Sequence, residues 1–133
     1  MNQHEEIRTA SAPRPPYQFS QGVQKGPLVQ VAGQGGVDHA YPIGSAENDL
    51  SAQTVRALDH VRGILEAGGS SFDDAVMVRV YLATRDDFAE MCTIYDRYMR
   101  RFVSGVFPAR TTVIVTLPIE GMLVEVDALA VRS

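Results

Sequence analysis

The sequence is poor in the residues that build disulfides and metal sites. Its 133 residues include a single cysteine, Cys92, which excludes an intrachain disulfide and a thiolate-rich metal site. The three histidines lie far apart along the chain and match no metal-ligand spacing; they are His4, His39 and His60. We therefore expect a protein that binds no metal.

Lysine and long apolar runs are also scarce. Lys25 is the only lysine and lies beside a Gly-Pro turn, which makes it a poor candidate for Schiff-base chemistry. No apolar run approaches the roughly 18 to 20 residues that a membrane span needs. The N-terminal segment lacks the apolar stretch of a secretory signal. These absences predict a soluble, cytoplasmic protein that does not bind membranes.

The charge balance gives little support to nucleic-acid binding. Twelve basic and sixteen acidic residues leave a net charge of -4, whereas nucleic-acid binding proteins usually carry a basic patch. The one basic cluster, Arg97–Arg101, falls where a predicted helix ends, and the helix dipole favours cations at that end. We therefore expect a small-molecule partner and no nucleic acid.

The pattern of residues predicts one domain spanning residues 1–133, because 45% of the chain is hydrophobic. The polar, proline-rich residues 1–16 are expected to form an extended or partly disordered lead-in. Residues 17–23 are predicted to form a short strand, and Leu28–Ala32 a second strand that glycines terminate. Residues 37–50 are expected to be irregular, with room for one further strand.

Two amphipathic helices follow from spacings of three and four residues. The first is predicted to begin near Ser51, a plausible N-cap, and to end at Gly68 and Gly69. Its apolar face comprises Val55, Leu58, Val61 and Leu65. The second begins at Asp86 and Asp87, where acidic residues favour the helix dipole. Its stripe is predicted to be core and comprises Phe88, Met91, Tyr95, Tyr98 and Phe102.

Three more strands are predicted, at residues 75–82, 110–115 and 122–131. The first of them alternates, so one face carries Val76, Val78, Val80 and Leu82. The order β-β-α-β-α-β-β favours an α+β fold with two helices on one face of a mixed sheet.

The last predicted strand indicates an oligomer. Its even positions are all apolar and suit a face that packs under the helices, whereas its odd positions mix apolar residues with Glu125 and Asp127. Two helices can cover only one face of the sheet, and the odd face is too apolar to remain in water. Another subunit is expected to cover it. A carboxylate in such an interface is either paired or functional.

Candidate chemistry falls on Arg110 and Glu125, with Asp127, Tyr17 and the Gly33 backbone as possible helpers. An arginine fork grips a carboxylate bidentately, and a glutamate can position or deprotonate a water. Alternatively, Arg110 and Glu125 form one structural ion pair that joins adjacent strands. The residues alone leave both interpretations open.

The order of several short motifs resembles the YjgF/RidA family over nearly the whole chain, from about Tyr17 to Arg132. These motifs are AGQ at 32–34, GG at 68–69, DDFAEM at 86–91, FPARTTV at 107–113 and VEVDALAV at 124–131. The resemblance implies a fold like that of the trimeric chorismate mutases. That fold has a six-stranded mixed sheet with two helices on one face. Three subunits surround a central barrel, and the active sites lie between subunits.

The resemblance also implies an activity that needs no cofactor. Family members hydrolyse imines, which are tautomers of enamines such as 2-aminoacrylate, to 2-keto acids and ammonia, and so remove reactive metabolites. By resemblance, Arg110 binds the substrate carboxylate, while Glu125 holds the attacking water and shuttles protons. Other positions implied to line the pocket are Tyr17, Ala32, Gly33 and Thr112.

Departures from the family pattern leave the substrate open. Ala32 replaces a serine, Cys92 stands where an asparagine is common, and Arg79 is unusual in the strand at residues 75–82. The Arg79 side chain is expected to point away from the helices. It forms either a salt bridge to another subunit or a second anchor for an anion. An anchor favours a larger, aminomuconate-like dicarboxylate. A small-carboxylate sensor and a ribonuclease are the other functions considered.

Overall fold

A computed structural model describes residues 3–133, which form a six-stranded mixed sheet with two α-helices. The strands are β1 (Glu5–Ile7), β2 (Gly22–Lys25), β3 (Leu28–Gly35), β4 (Ala75–Leu82), β5 (Ala109–Ile114) and β6 (Val124–Val131). Helix α1 (Leu50–Ala67) precedes β4, and α2 (Phe88–Phe102) follows it. The sheet order is β1-β2-β3-β6-β4-β5. Only β4 and β5 pair in parallel. The predicted fold class is confirmed.

The core lies between the helices and one face of the sheet. The even positions of β6 are buried from Val124 to Ala130, as their apolar character predicts. Val78, Val80 and Leu82 of β4 are buried on the same face. The α2 stripe contributes Met91, Tyr95 and Tyr98 to this core, whereas Phe88, which was also predicted to be core, is 43% exposed. We name this side of the sheet the helix face and the opposite side the open face.

Two valines that were predicted to be in the core lie at the surface. Val55 is 37% exposed, because the inward positions of the first turns of α1 are Leu50 and Thr54 instead. Val76 is 48% exposed, because the β4–β6 register shifts between Ala75 and Met77 and turns Ala75 inward. A one-residue irregularity reverses which side chains face the core.

The sixth strand lies in the proline-rich lead-in. Residues Glu5–Ile7 pair with β2, and Ile7 is buried in the core. The extra strand considered for residues 37–50 is absent; apart from Leu50, which begins α1, this segment contains loop and a 3₁₀ turn at Ala46–Asn48. Residues 1 and 2 of the predicted lead-in lie outside the described residues.

The strand predicted at residues 17–23 begins only at Gly22. The side chain of Gln21 explains this difference. Its amide donates to the carbonyls of Thr9, Ala12 and Pro13 at 2.9–3.0 Å and accepts from the Thr9 N–H at 2.8 Å. These bonds tie the chain before β2 to the N-terminal segment as a loop.

Between residues 3 and 133, neither helix is long and apolar enough to span a bilayer.

The N-cap of α1 is Asp49 and not Ser51, because the Asp49 carboxylate accepts from the Ala52 N–H at 2.8 Å. We expect Asp49→Ala to lower the free energy of unfolding by about 1 kcal/mol, the usual cost of losing an N-cap. Urea denaturation followed by circular dichroism measures it. Ser51→Ala is the matched control and should change stability by less than about 0.5 kcal/mol. Equal losses in the two variants would contradict the capping role.

Candidate active site

Arg110 lies on β5, at the edge of the sheet, and points to the helix face. It pairs in register with Val78, whose side chain is in the core. Its Nη2 donates to Cys92 Sγ at 3.2 Å, and its guanidinium carbon lies 4.8 Å from the centre of the Tyr95 ring and 5.9 Å from that of Phe88. Aromatic rings attract a cation at these distances. Helix α2 therefore holds Arg110 with a thiol and two rings.

Arg110 has no carboxylate partner within the part of the chain that the structure describes. Burial is the main cause that raises the pKa of Tyr95 to about 12, while the Arg110 cation acts in the opposite direction. Tyr95 is therefore neutral near pH 7 and does not neutralise the guanidinium. The charge of Arg110 remains available to an anion.

Glu125 occupies a different environment, on the open face. Its neighbours in register are Gly35 on β3 and Tyr81 on β4. The β3–β6 pairing is irregular between Val31 and Gln34, and Gly33 lies in this bulge. A Cβ atom at Gly33 would lie 2.7 Å from Glu125 Oε2, so the missing side chain makes room for the carboxylate.

Burial raises the pKa of Glu125, and the negative charge of Asp127 raises it further. Both effects disfavour the ionised carboxylate. A carboxyl group in this environment exchanges its proton closer to neutral pH than an exposed glutamate does. This property suits a group that must both accept and donate a proton.

Arg110 and Glu125 lie on opposite faces of the sheet. Strand β4 separates β5 from β6, and its Val78 faces the helices with Arg110, whereas its Tyr81 shares the open face with Glu125. The alternative interpretation, in which Arg110 and Glu125 form an ion pair between adjacent strands of one chain, is therefore wrong. Because the sheet lies between them, the two side chains can meet only if they come from different chains.

Arg79 and Asp127 pair with each other on the open face. Arg79 Nε donates to Asp127 Oδ1 at 2.7 Å, and the Tyr81 hydroxyl donates to Asp127 Oδ2 at 2.7 Å. The Asp127 carboxylate raises the pKa of Arg79 through this bond. This salt bridge lies within the chain, and the salt bridge expected between subunits stays a prediction. The role of Arg79 as a second anion anchor stays a prediction.

The other predicted site residues fall into separate places. Thr112 lies near Arg110 on the helix face, and its buried hydroxyl has no hydrogen-bond partner in the described chain. Ala32 lies in the β3 bulge beside Gly33. Tyr17 is 78% exposed and lines a depression of about 760 Å³ whose lining includes neither Arg110 nor Glu125.

Three contacts of the site were not predicted from the sequence. Tyr95 was interpreted only as a core residue, although its ring lies against Arg110. The contact of Cys92 with Arg110 and that of Tyr81 with Asp127 were not predicted. The spacing of Phe88, Cys92 and Tyr95 along α2, four and then three residues, does place them on one side of the helix. Which strand that side meets requires the strand order. No three His, Cys, Asp or Glu side chains between residues 3 and 133 are grouped as metal ligands.

Comparison with known proteins identifies relatives along nearly the full length. Residues 9–132 match the family described as Endoribonuclease L-PSP. A RutC family protein of Saccharolobus solfataricus is 36% identical, covering 96% of this chain and 97% of that protein. A protein of Salmonella typhimurium named 2-iminobutanoate/2-iminopropanoate deaminase is 33% identical, covering 95% and 96%. The structure of the YjgF gene product of Escherichia coli superposes with a TM-score of 0.86 at 31% identity, covering 97% and 99%.

The close packing of Gly33 against Glu125 predicts a local effect of substitution. Gly33→Ala should displace the Glu125 carboxylate by steric overlap and change its ¹³C chemical shift and titration. The flexible side chain can move, so the loss of stability should stay below about 1 kcal/mol. Carboxyl-labelled NMR and urea denaturation measure the two effects.

Gly105→Ala is the control, because open space surrounds Gly105. It should leave the Glu125 resonance unchanged. A Gly33→Ala protein with the same Glu125 resonance as the parent would contradict the packing.

Proposed function

Because the chain belongs to the Endoribonuclease L-PSP family, which is the YjgF/RidA family, we propose that it is an imine deaminase. The proposed reaction is the hydrolysis of small 2-imino acids, such as 2-iminopropanoate, to 2-keto acids and ammonia without a cofactor. Full-length similarity to a protein named 2-iminobutanoate/2-iminopropanoate deaminase supports this class of reaction.

One observation carries the proposal: Arg110 and Glu125 are on opposite faces of one sheet. In this proposal each residue is half of a site. Arg110 supplies a cation that has no carboxylate partner in the described chain, and Glu125 supplies a carboxyl group whose pKa is raised by burial. We propose that a homotrimer brings Arg110 of one subunit to Glu125 of the next. The apolar residues exposed on the open face, Leu28, Val113 and Val131, support coverage by another subunit.

The division of labour follows from the chemistry of each group. The Arg110 fork binds the substrate carboxylate bidentately, and the Tyr95 ring, 4.8 Å from the guanidinium carbon, helps to hold the guanidinium in place. Glu125 accepts a proton from a water as that water attacks the electrophilic carbon of the protonated imine. The product of this step is a neutral carbinolamine, and Glu125 is then protonated.

The second half of the reaction reverses the role of Glu125. Its proton passes to the amino nitrogen, and the carbon–nitrogen bond breaks as the carbinolamine hydroxyl returns a proton to Glu125. The products are a 2-keto acid and ammonia, which takes up the remaining proton. A carboxyl group whose pKa burial has raised can serve both steps. In this proposal Tyr17, Ala32, Gly33 and Thr112 line the pocket.

A non-catalytic protein that binds small carboxylates is the second candidate. The unpaired charge of Arg110 favours it as much as it favours the enzyme, but binding alone needs no proton carrier at Glu125. Ribonuclease activity receives less support, because the chain is acidic overall. The helix dipole also accounts for the one basic cluster, Arg97–Arg101, which lies towards the C-terminal end of α2. Nuclease activity that falls steeply with salt and maps to this cluster would favour it.

The role of Arg110 predicts a large loss of activity in two variants. Arg110→Ala and Arg110→Lys should each lower kcat/KM for 2-iminopropanoate by about a hundredfold or more, since an ammonium cannot replace the fork. The imine is generated in the assay, and the keto acid product is measured by coupled reduction. Wild-type rates in both variants would contradict the anchoring role.

Glu125→Gln separates the enzyme from the sensor. It should retain affinity for pyruvate in calorimetry and lose turnover by about a hundredfold or more. Pyruvate binding without turnover in the wild-type protein would favour the sensor, whereas turnover retained in Glu125→Gln would contradict the role of Glu125 as proton carrier.

The proposed site between subunits predicts that two inactive proteins complement each other. Arg110→Ala and Glu125→Gln chains, mixed equally, unfolded and refolded together, should recover about a quarter of wild-type activity. Half of the interfaces then carry an intact Arg110, and half of those also carry an intact Glu125, so about a quarter of the sites are complete. Each variant refolded alone is the control. No recovery in a mixture that size exclusion shows to be assembled would contradict the shared site.

A further inference from the structure

We propose that Arg79, Tyr81 and Asp127, named here the Arg79 network, set the pH at which Glu125 changes its protonation. Arg79 acts as a positioning residue whose cation offsets the charge of Asp127 beside the proton carrier. The consequence for catalysis rests on the proposed function, whereas the effect on Glu125 itself does not.

The contacts within the network fix where its charges lie. Arg79 and Tyr81 both donate to Asp127 at 2.7 Å, so the carboxylate is held between two strands. Asp127 is nearly buried, with its side chain 11% exposed, whereas the Arg79 side chain is 48% exposed. A nearly buried carboxylate without this partner would leave an uncompensated negative charge on the open face.

Register places the network beside Glu125. Asp127 follows Glu125 by two residues on the same face of β6, about 7 Å away along the strand. Arg79 is opposite Asp127 and therefore diagonal to Glu125, at a similar distance of about 7–8 Å. Glu125 thus has one negative and one positive neighbour at comparable backbone spacing. Asp127 raises the pKa of Glu125, and in this proposal the Arg79 cation cancels part of that effect.

No other charged side chain of the flanking strands shares this part of the open face in the described chain. Strand β3 contributes Gly33 and Gly35, which have no side chain to titrate. Strand β4 contributes Tyr81. Burial and the hydrogen bond to Asp127 raise the pKa of Tyr81, so its hydroxyl stays neutral. The pair Arg79 and Asp127 is therefore the local electrostatic control on Glu125.

Three variants test the cancellation. Arg79→Met removes the cation and should raise the pH at which Glu125 titrates by about one unit, a value between the Coulomb limits for water and for a protein interior. Asp127→Asn keeps the shape and should lower it by a similar amount. The double variant removes both charges and should titrate between the two single variants.

Glu125 is followed directly by NMR of protein labelled with ¹³C at glutamate carboxyl groups, and Glu125→Gln assigns its resonance. Tyr81→Phe is the matched control: it removes a hydrogen bond to Asp127 and no charge, so its shift should be the smallest. Arg79→Gln replaces Arg79→Met if the latter does not fold. If the network is purely structural, the variants should lower the melting temperature and leave the titration of Glu125 unchanged, and this result would overturn the proposal. Shifts of the same sign in Arg79→Met and Asp127→Asn would also overturn it.

Kinetics keep this inference separate from the proposed function. If the protein is a deaminase, the acid limb of the kcat/KM profile should move with the NMR titration in each variant. Shifted titrations without imine hydrolysis would leave the Arg79 network in place and refute the deaminase. Hydrolysis with an unshifted titration would refute the network alone.

Discussion

A β-sheet separates its two faces, and this separation governs how the molecule is arranged. Successive side chains of a strand point to opposite sides, so a residue cannot exchange its face without a bulge or a change of register. Arg110 and Glu125 are each fixed by register with β4, one on the helix face and one on the open face. Under the proposed function, a single chain therefore holds two incomplete half-sites, and assembly is part of the chemistry.

Packing within the chain positions both Arg110 and Glu125. On the helix face, Arg110 rests against Cys92 and Tyr95 of α2, whose stripe is anchored in the core. On the open face, the β3 bulge places Gly33 against Glu125 and leaves space for its carboxyl group. The polar groups are thus positioned by apolar packing and backbone geometry, which under the proposed function reduces the ordering that substrate binding must supply.

Local patterns in the sequence predict the local structure well and the long-range arrangement poorly. Alternation in β6 and the stripe of α2 identify the helix face, and the family motifs indicate the six-stranded sheet. Strand β1 in the proline-rich lead-in was not predicted, because a strand of three residues is too short to show an alternation of apolar and polar side chains. Val76 is placed wrongly because a bulge in register is invisible in alternation. The separation of Arg110 from Glu125 depends on β4 lying between β5 and β6, and strand order is not encoded in the periodicity of any single strand.

Strand β5 is an edge of this sheet, and its Val113 and Ile114 are exposed. An edge with unpaired backbone groups and apolar side chains can pair with any extended segment it meets. If the proposed trimer forms through this edge, a newly synthesised chain faces a kinetic competition there, between docking to a second folded subunit and misassociation with unfolded chains. Expression level and folding rate then influence the yield of native protein together with the free energy of the finished domain.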